Sequence, residues 1–449
     1  MEPSSHAPVG HAHDIDVTAR TRRVLTIVTI AMALVVVVGM FAIGFGTDVE
    51  ASNPELLTDR VYEAKVLDVG TGPCAGTTVA DGIECELVQI ELTQGPDAGD
   101  ERTLSFSVDS DTSPDLGRGD RIVVSYAPDA DEGSEYAYAD RQRRPVLIAA
   151  AIVFAIAVVA LGRLRGLAAL GGVVISLGLI LTFVLPAILE GHSPVLVAVL
   201  GSAAIAYVAL YLSHGINALT TVALLGTLAA LALTVLLSAV FTAVANFSGF
   251  ASEEALLVGA LASDVDVSGL VLAGIVIGAL GALDDVTVTQ ASAVAELRAA
   301  DPEMPHHDVY RAGVRIGRDH IASTVNTLAL AYAGAALPVM LLFVLSRQSL
   351  GTVANSEVIA IEIIRTLVGS IGLVAAVPIT TWLASRVVSR PPPTDVPPPT
   401  PPPSPHEPAD HDADAGWDAL MPPPPPPRGR RRSSAEPDDG EDDESSFWS

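Results

Sequence analysis

Positive charge is scarce in this chain. Its 449 residues include 25 lysines and arginines against 52 aspartates and glutamates, and Lys65 is the single lysine. Residues 46–145 carry 22 acids and 8 bases, a net charge of −14, and residues 391–449 carry 13 acids and 4 bases, a net charge of −9. Because no basic face is available to neutralise phosphates, the composition argues against nucleic acid as a partner.

Enzyme signatures are also missing. The sequence contains no Gly-x-Ser-x-Gly, no His-Glu-x-x-His and no Walker A pattern. The histidine-bearing stretches 6–16 and 306–308 lack the spacing of a tetrahedral metal site, and we interpret them as solvated loops. Asp284 and Asp285 are adjacent and would point about 100° apart on a helix, which makes a poor aspartyl protease dyad. We therefore expect no enzyme, no resident metal and no cofactor.

Cysteine is rare, and both copies, Cys74 and Cys85, lie within residues 46–145. Their spacing suits a disulfide that closes one hairpin loop, and two buried free thiols are the alternative. Four runs of this segment alternate apolar and polar residues between turns rich in glycine and aspartate. The runs are residues 61–69, 86–92, 102–108 and 121–126. Short strands at this spacing predict a small β barrel, OB-like in type.

Long apolar runs make up most of the remaining chain. Half of all residues are hydrophobic and the mean hydropathy is +0.45, which is too apolar for a soluble globular protein. The runs long enough to cross a bilayer are residues 24–45, 146–162, 166–189, 195–213, 217–246, 268–296, 320–346 and 357–386. The first run is interpreted as an uncleaved anchor, because no small-x-small cleavage site is evident.

The distribution of arginine predicts the orientation of these eight spans. Arg22 and Arg23 place the N-terminus inside under the positive-inside rule, and alternate counting puts the arginine-rich loop 297–319 inside as well. Arginines 141, 143 and 144 disagree, but charges on a translocated domain count for less. We thus expect a bacterial plasma-membrane protein with both termini cytoplasmic and residues 46–145 outside.

The predicted fold class is an α-helical polytopic membrane protein of about eight transmembrane helices, with a small extracytoplasmic β domain and a disordered proline-rich tail. Its segments are a polar N-terminus (1–23), an anchor (24–45), the β domain (46–145), a seven-helix bundle (146–388) and the tail (389–449). The tail is proline-rich and acidic, which predicts disorder with polyproline II stretches. It either docks proline-recognising proteins or only keeps the chain soluble.

One helical stripe combines glycine with carboxylates. Residues three and four apart share a helix face. From position 274 to 296 that face carries Gly274, Gly278, Gly281, Asp285, Thr289, Ser292 and Glu296. The glycines predict close helix packing or dimerisation, and the polar half, with Asp284 beside it, predicts an ion or polar path. The alternative is a buried polar network that only holds helices together.

The next two spans offer partners for this stripe. Arg315, Asp319, Ser323 and Asn326 follow one another at helical spacing, and we hypothesise that Asn326 hydrogen-bonds the Asp pair. Arg315, Arg318 and His320 either anchor the helix to headgroups or pair with Glu296. In the last span, Glu362 and Arg365 are spaced for an ion pair, and a salt bridge at the membrane rim is the simpler interpretation.

Two stretches carry a family resemblance. Residues 278–297 include Leu-Asp-Asp-Val-Thr-Val-Thr-Gln, and residues 310–334 include Ile-Gly-Arg-Asp, Asn-Thr-Leu and Ala-Tyr-Ala-Gly. With these motifs the chain resembles the YibE/YibF family of bacterial multispan membrane proteins over roughly residues 55–388. The family has one acidic residue where this chain has two, and Asp285 aligns best with it. The resemblance implies a polytopic membrane fold and leaves the activity open.

Together these features predict a transporter or channel-like permease in which Asp285, with Asp284, binds a cation or proton, supported by Asn326 and Thr289. Its expected partners are the lipid bilayer, a small ion or solute, and a protein that binds the proline-rich tail, and the glycine spacing permits an oligomer. The alternative function is a non-transporting sensor or assembly scaffold that binds partners through the extracytoplasmic domain and the tail.

Overall fold

The computed structural model describes residues 17–45, 60–74, 84–107, 114–128, 130 and 135–388. All of them belong to the first of two compact units, Met1–Pro392 and Pro393–Ser449. The predictions for the histidine-bearing N-terminus and for the proline-rich tail fall outside the described residues.

An antiparallel sheet of five strands follows the first helix. The strands are β1 (Arg60–Pro73), β2 (Glu84–Leu92), β3 (Glu101–Ser107), β4 (Arg121–Tyr126) and β5 (Tyr136–Arg141), and they lie in the order β3-β2-β1-β4-β5. The first four coincide with the predicted alternating runs, whereas β5 was not predicted. The alternation buries one face of each strand because successive side chains point to opposite sides of a sheet.

The sheet curls into a half-barrel around its own apolar core. Val66, Ile90 and Ile122, on three neighbouring strands, are fully buried. The rings of Phe106 on β3 and Tyr138 on β5 lie 5.8 Å apart, so the two edge strands approach each other. This curvature places the buried faces of all five strands around one small core.

A disulfide and a group of hydrogen bonds hold the ends of the strands together. Of the two alternatives left open for the cysteines, the structure has the disulfide, which joins Cys74 at the end of β1 to Cys85 on β2. At the other end, Asp120 accepts hydrogen bonds from the Gly117 amide at 2.9 Å and from Arg141 at 3.3 Å. The Gly117 amide, and then Arg141, lower the pKa of the Asp120 carboxyl.

The remaining elements are helical. They are α1 (Ala19–Ile43), α2 (Arg144–Leu179), a π-helical turn (Ile180–Val184), α3 (Leu185–Leu189), α4 (Pro194–His214), α5 (Ala218–Ala245), α6 (Glu253–Leu261), α7 (Val267–Ala300), α8 (His306–Ala335), α9 (Leu337–Leu345), α10 (Leu350–Asn355) and α11 (Glu357–Val387). In the described residues, six helices are long and apolar enough to cross a membrane, or seven if α8 and α9 form one bent span. The two short helices α6 and α10 were not predicted.

The count of six treats Arg144–Leu189 as a single helix of 46 residues. A straight helix of that length would measure about 69 Å, more than twice the hydrocarbon thickness of a bilayer. The helix is broken at Arg163, which has φ 52° and ψ −128°. Gly166 lies against the backbone of Val158, although eight residues of straight helix span about 12 Å. The chain therefore reverses direction at Arg163, between the two spans predicted for this region.

The predicted span 320–346 differs most from the structure. Helix α8 begins at His306, and it bends by 59° into α9 at Ala336. His306 contacts the Ser385 carbonyl near the end of α11, and Tyr332 lies against Arg365 near its start. Helix α8 thus runs antiparallel to α11 along most of its length. The hydropathy of α8 is low, which is why the sequence pattern placed the start of this helix too late.

Helix α7 occupies the centre of the bundle and packs against α4, α5, α8 and α11. Val276, Leu283 and Thr287 on its inner face are completely buried. Arginines gather at the end of the bundle where α5 begins and α7 ends; this end is called the Arg-rich end below. They include Arg165, Arg298, Arg311 and Arg386, and Arg315 and Arg318 lie about one and two turns beyond Arg311 along α8.

Candidate functional site

The two adjacent carboxylates of α7 lie in different surroundings. Asp284 is half-buried, and its Oδ1 atom is enclosed with no hydrogen-bond partner among the described residues. Asp285 is exposed, because consecutive residues of a helix point about 100° apart. A buried carboxylate oxygen without a partner is costly, so it requires a proton, a cation or a water molecule. Of the two neighbours, Asp284 has this requirement. Glu362 also has a buried oxygen without a partner in the described residues, Oε2, but its other oxygen is paired with Arg365.

A pair of buried hydroxyl groups lies next to Asp284. The Oγ1 atoms of Thr287 on α7 and Thr227 on α5 are 2.6 Å apart, and either can donate to the other. Thr287 Oγ1 also lies 3.1 Å from the Asp284 carbonyl, and Thr227 Oγ1 lies 3.1 Å from the Ala223 carbonyl. Each hydroxyl has one proton and two acceptors within reach, so the pair can reverse its hydrogen bonds without moving the helices.

The other predicted path residues do not surround Asp284. Thr289, Ser292 and Glu296 are exposed on α7, and Asn326 is exposed on α8. The hypothesised hydrogen bond from Asn326 to the enclosed oxygen of Asp284 does not form. The structure therefore separates the predicted set into one inward carboxylate and an exposed polar face.

Ser292 lines a cavity of about 520 Å³ at the Arg-rich end of the bundle. The cavity lies between α2, α4, α5 and α7, and Arg165 is the charged residue in its lining. Asn217, also in the lining, caps the start of α5 by accepting a hydrogen bond from the Thr220 amide at 2.8 Å. This cavity could not be predicted from the sequence, because its walls come from four separate helices.

The three glycines of the stripe do not act as predicted. A Cβ atom at Gly281 would have nothing within 4 Å, so no helix packs closely there. A Cβ atom at Gly278 would lie 2.8 Å from the Tyr332 hydroxyl, and one at Gly274 would lie 3.4 Å from the Arg365 guanidinium. Within the chain, no backbone of another helix lies within 4 Å of a Cβ atom at these positions, and dimerisation through them stays a prediction. Two of the glycines make room for long polar side chains.

Those side chains form a second polar cluster, away from the Arg-rich end. Arg365 and Glu362 on α11 make an ion pair at 2.6 Å, both about one-quarter exposed. The guanidinium also lies 5.7 Å from the ring centre of Tyr332. The structure places this pair, interpreted above as a salt bridge at the rim, among α7, α8 and α11. Tyr332 was missed as a member, because its partners lie on other helices.

Gln290 and Arg298 fix the Arg-rich end of α7. Gln290 is buried and donates to the Gly313 carbonyl and to Thr381 Oγ1, both at 2.7 Å, which joins α7 to α8 and α11. Arg298, placed by the sequence in a cytoplasmic loop, is only 2% exposed and donates to the Met304 carbonyl at 2.5 Å. Gln290 thus holds α7 against α8 and α11, and Arg298 holds the loop between α7 and α8.

The helical region also matches a protein family. The profile of the YibE/F-like proteins covers residues 150–390, more than half of the chain, and includes Asp284, Tyr332 and Glu362. The match starts beyond the five-stranded sheet, so the resemblance expected from about residue 55 is confirmed for the helices alone. No curated protein and no solved structure gives a significant match. From its helical region, the chain belongs to the YibE/F-like family.

Proposed function

We propose that this protein is a multi-pass membrane protein that transports a cation or a proton, with Asp284 as the carboxylate that binds it. The observation that carries the proposal is the enclosed Oδ1 atom of Asp284, which has no partner in the described residues. A carboxylate inside a membrane bundle costs several kcal/mol unless it is neutralised. A proton or a bound cation removes that cost, and its release restores it.

The depth of Asp284 supports this role. Thr287 contacts Thr227, which lies about 14 Å along α5 from the Arg-rich end. Asp284 is almost one helical turn beyond Thr287, so it lies well inside a bilayer of about 30 Å. Helices α5 and α11, which both pack against α7, are long and apolar enough to cross a membrane.

The hydroxyl pair lies against the backbone of Asp284 and can change its hydrogen bonds. When Thr287 donates to the Asp284 carbonyl, its oxygen accepts from Thr227. When it donates to Thr227, that carbonyl keeps its helical hydrogen bond and has its second lone pair open to a ligand. Backbone carbonyl, hydroxyl and carboxylate oxygens are together the atoms that bind small hard cations. The arrangement is therefore suited to a proton or an alkali or alkaline-earth cation.

In this proposal the Arg-rich end faces the cytoplasm of a bacterium, in agreement with the positive-inside rule. The half-barrel then lies outside the plasma membrane, where the Cys74–Cys85 disulfide is stable. The half-barrel would either gate the outer end of the ion path, near the Glu362–Arg365 cluster, or capture a partner there.

The test compares two variants with the same change of charge on neighbouring residues. Thermal unfolding of the full chain in detergent is measured over a pH series and with Na⁺, K⁺, Mg²⁺ and Ca²⁺, for the parent, Asp284→Asn and Asp285→Asn. A ligand at 100 times its Kd stabilises the folded state by about 2.7 kcal/mol. We expect the parent and Asp285→Asn to show such a shift and Asp284→Asn to lose it. A shift lost only in Asp285→Asn would reject Asp284 as the site.

Transport is tested separately in proteoliposomes with an imposed gradient of the cation, or of protons, that gives the shift. We expect flux in the parent and in Asp285→Asn, and none above empty vesicles in Asp284→Asn. Binding without flux in the parent would reject transport and favour the alternative, a membrane sensor or scaffold in which the ligand controls partner binding.

A further inference from the structure

The cavity at the Arg-rich end is large enough for an organic ligand. Its volume of about 520 Å³ falls within the range of about 300–1,000 Å³ that is usual for small-molecule sites. The polar residues in its lining are Arg165, Ser213, His214, Asn217, Thr220 and Ser292. In the described part of the chain, no acidic residue lines it. The cavity therefore combines a positive charge and several hydrogen-bonding groups with no negative charge of its own.

The packing of α2 on α4 places Arg165 at the mouth of this cavity. A Cβ atom at Gly172 would lie 3.7 Å from Ala209 and 3.8 Å from the Ser213 hydroxyl, so the second limb of α2 lies close to the last turns of α4. Arg165 comes seven residues before Gly172, about 10 Å nearer to the Arg-rich end, at the level of the loop between α4 and α5. Arg165 is exposed there, so a ligand can reach it.

The floor of the cavity is apolar and lies deeper in the bundle. Ala223, Val288 and Ala291 belong to the lining. Val288 follows Thr287, whose contact with Thr227 fixes its depth, so Val288 lies about 12 Å from the start of α5. A membrane-spanning α5 would put that depth inside the hydrocarbon layer. A ligand in this cavity would thus have its charged group at the mouth and an apolar part below it.

The charge of Arg165 has no counter-ion within the described residues. No acidic group lies within 4 Å of its guanidinium. The predicted pairing of Glu296 with Arg315 or Arg318 does not form in these residues either. A guanidinium that lines a cavity without a counter-ion favours an anion as the ligand, because its fork of donors matches carboxylate and phosphate oxygens.

The groups beside Arg165 also favour an anion over a cation. Asn217 Oδ1 accepts a hydrogen bond from the Thr220 amide at 2.8 Å, and Asn217 Nδ2 donates to the His214 carbonyl at 2.9 Å. Two oxygens that could bind a cation are thus already engaged. Helical hydrogen bonding gives the amides of Ala218 and Leu219 no partner within α5, and they form the positive end of a helix of 28 residues.

We propose that this cavity binds a phosphate-type anion, with the anionic group beside Arg165 and the first turn of α5. Guanidinium groups and the amides at a helix start are both groups that bind phosphate oxygens. The phosphate comes either from a phospholipid headgroup in the leaflet at the Arg-rich end or from a soluble phosphate compound. Both sources present the same oxygens to Arg165. This site goes beyond the proposed function and does not rest on it, since Asp284 takes no part in it.

The experiment measures thermal unfolding of the full chain, purified in detergent, with two probes. Inorganic phosphate at constant ionic strength tests the soluble source. Phosphatidylglycerol, compared with diacylglycerol of the same acyl chains, tests the lipid source. We expect at least one probe to raise the unfolding temperature of the parent in a saturable way, because it binds the folded state. Stabilisation by phosphatidylglycerol alone identifies the lipid, and stabilisation by inorganic phosphate identifies the soluble source.

Two variants with the same loss of charge locate the binding. Arg165→Gln removes the charge in the lining, and Arg163→Gln removes a charge two residues away, outside the lining. We expect the probe concentration that gives half of the stabilisation to rise about tenfold or more in Arg165→Gln, because a hydrogen-bonded charge is lost. It should change by less than about twofold in Arg163→Gln and in Asp284→Asn.

Arg165→Lys gives a second measurement should Arg165→Gln fail to fold. It keeps the positive charge and loses the guanidinium fork, so we expect that concentration to rise about threefold. No saturable stabilisation by either probe, equal weakening in Arg163→Gln, or unchanged binding in both Arg165 variants would overturn the inference.

Discussion

Gly313 and Gly317 on α8 show what glycine does in this bundle at the scale of single residues. A Cβ atom at Gly313 would lie 2.8 Å from Thr381 Cγ2, and one at Gly317 would lie 2.7 Å from Gln290 Oε1. Both positions keep space for the hydrogen bonds of Gln290. Gly281 on α7 has open space instead. The glycines of these two neighbouring helices thus differ in role, according to what lies opposite each of them.

The difference predicts opposite results for the same substitution. Gly317→Ala forces the added methyl against Gln290 and Val377, so we expect a loss of about 1–3 kcal/mol in the free energy of unfolding. Gly281→Ala adds a methyl in open space and gains helix propensity, so we expect no loss and up to about 1 kcal/mol of stabilisation. Thermal unfolding of the two full-length variants measures both. Equal destabilisation would contradict this account.

The sequence predicted the identity of the candidate carboxylates but not which of the two matters. Periodicity placed Asp285 on a stripe with Thr289 and Glu296, and that stripe does share one face of α7. Periodicity cannot say whether a face points inward. That is decided by α4 and α5, which cover the side of Asp284 and leave Asp285 exposed. The hydroxyl of Thr227 was invisible for the same reason, because its partner is on another helix.

At the scale of elements, the break in α2 depends on one residue. Arg163 has φ 52° and ψ −128°, a conformation that glycine adopts without strain and that costs other residues about 1 kcal/mol or more. The two limbs of α2 follow each other with no loop, and Arg165 already belongs to the second limb.

We therefore expect Arg163→Gly to stabilise the fold by about 1 kcal/mol and Arg165→Gly to destabilise it by about the same amount. Each variant removes one arginine, so both variants lose the same positive charge and differ only in the position of the new glycine. Unfolding in detergent at fixed temperature compares both with the parent. If the two variants shifted stability in the same direction, the reversal at Arg163 would be wrong.

Strands and apolar helices were predictable because each carries its own signal. Strand β4 coincides with its predicted run, and the apolar helices differ by a few residues at their ends. Strand β5 (Tyr136–Arg141) was missed although its two tyrosines alternate with alanine, because it is short and mostly exposed. Helix α8 was only half recognised, since arginine and histidine in its first turns keep the local hydropathy below that of a membrane span, although Val309, Gly313 and Gly317 form a buried stripe.

At the scale of the whole molecule, the bend between α8 and α9 leaves a choice between one broken span and a re-entrant loop. The contacts of α8 with α11, from His306 beside Ser385 to Tyr332 beside Arg365, favour a complete crossing by α8 itself. The ends of the pair should then lie on opposite sides of the membrane.

Two single-cysteine variants test this topology. Ala300→Cys is exposed at the end of α7, and Gln348→Cys is exposed after α9. With a membrane-impermeant maleimide on intact bacteria, we expect Gln348→Cys to be labelled and Ala300→Cys to be labelled only after permeabilisation. Labelling of both in intact cells, or of neither, would show that α8 and α9 together return to the side they left.

The reversal at Arg163 also bears on how the chain enters its membrane during synthesis. Because no loop joins the two limbs of α2, the first limb cannot be embedded in lipid while the second limb is still at the membrane surface. The insertion machinery therefore inserts the two limbs together, as one helical hairpin. The combined apolar length of both limbs drives this insertion in a single step. Arg163, at the tip of the hairpin, stays at the headgroups on the side from which the hairpin enters. A single cysteine in the first limb should accordingly react with a water-soluble maleimide in ribosome-bound intermediates that end inside the second limb, and should be protected in longer ones.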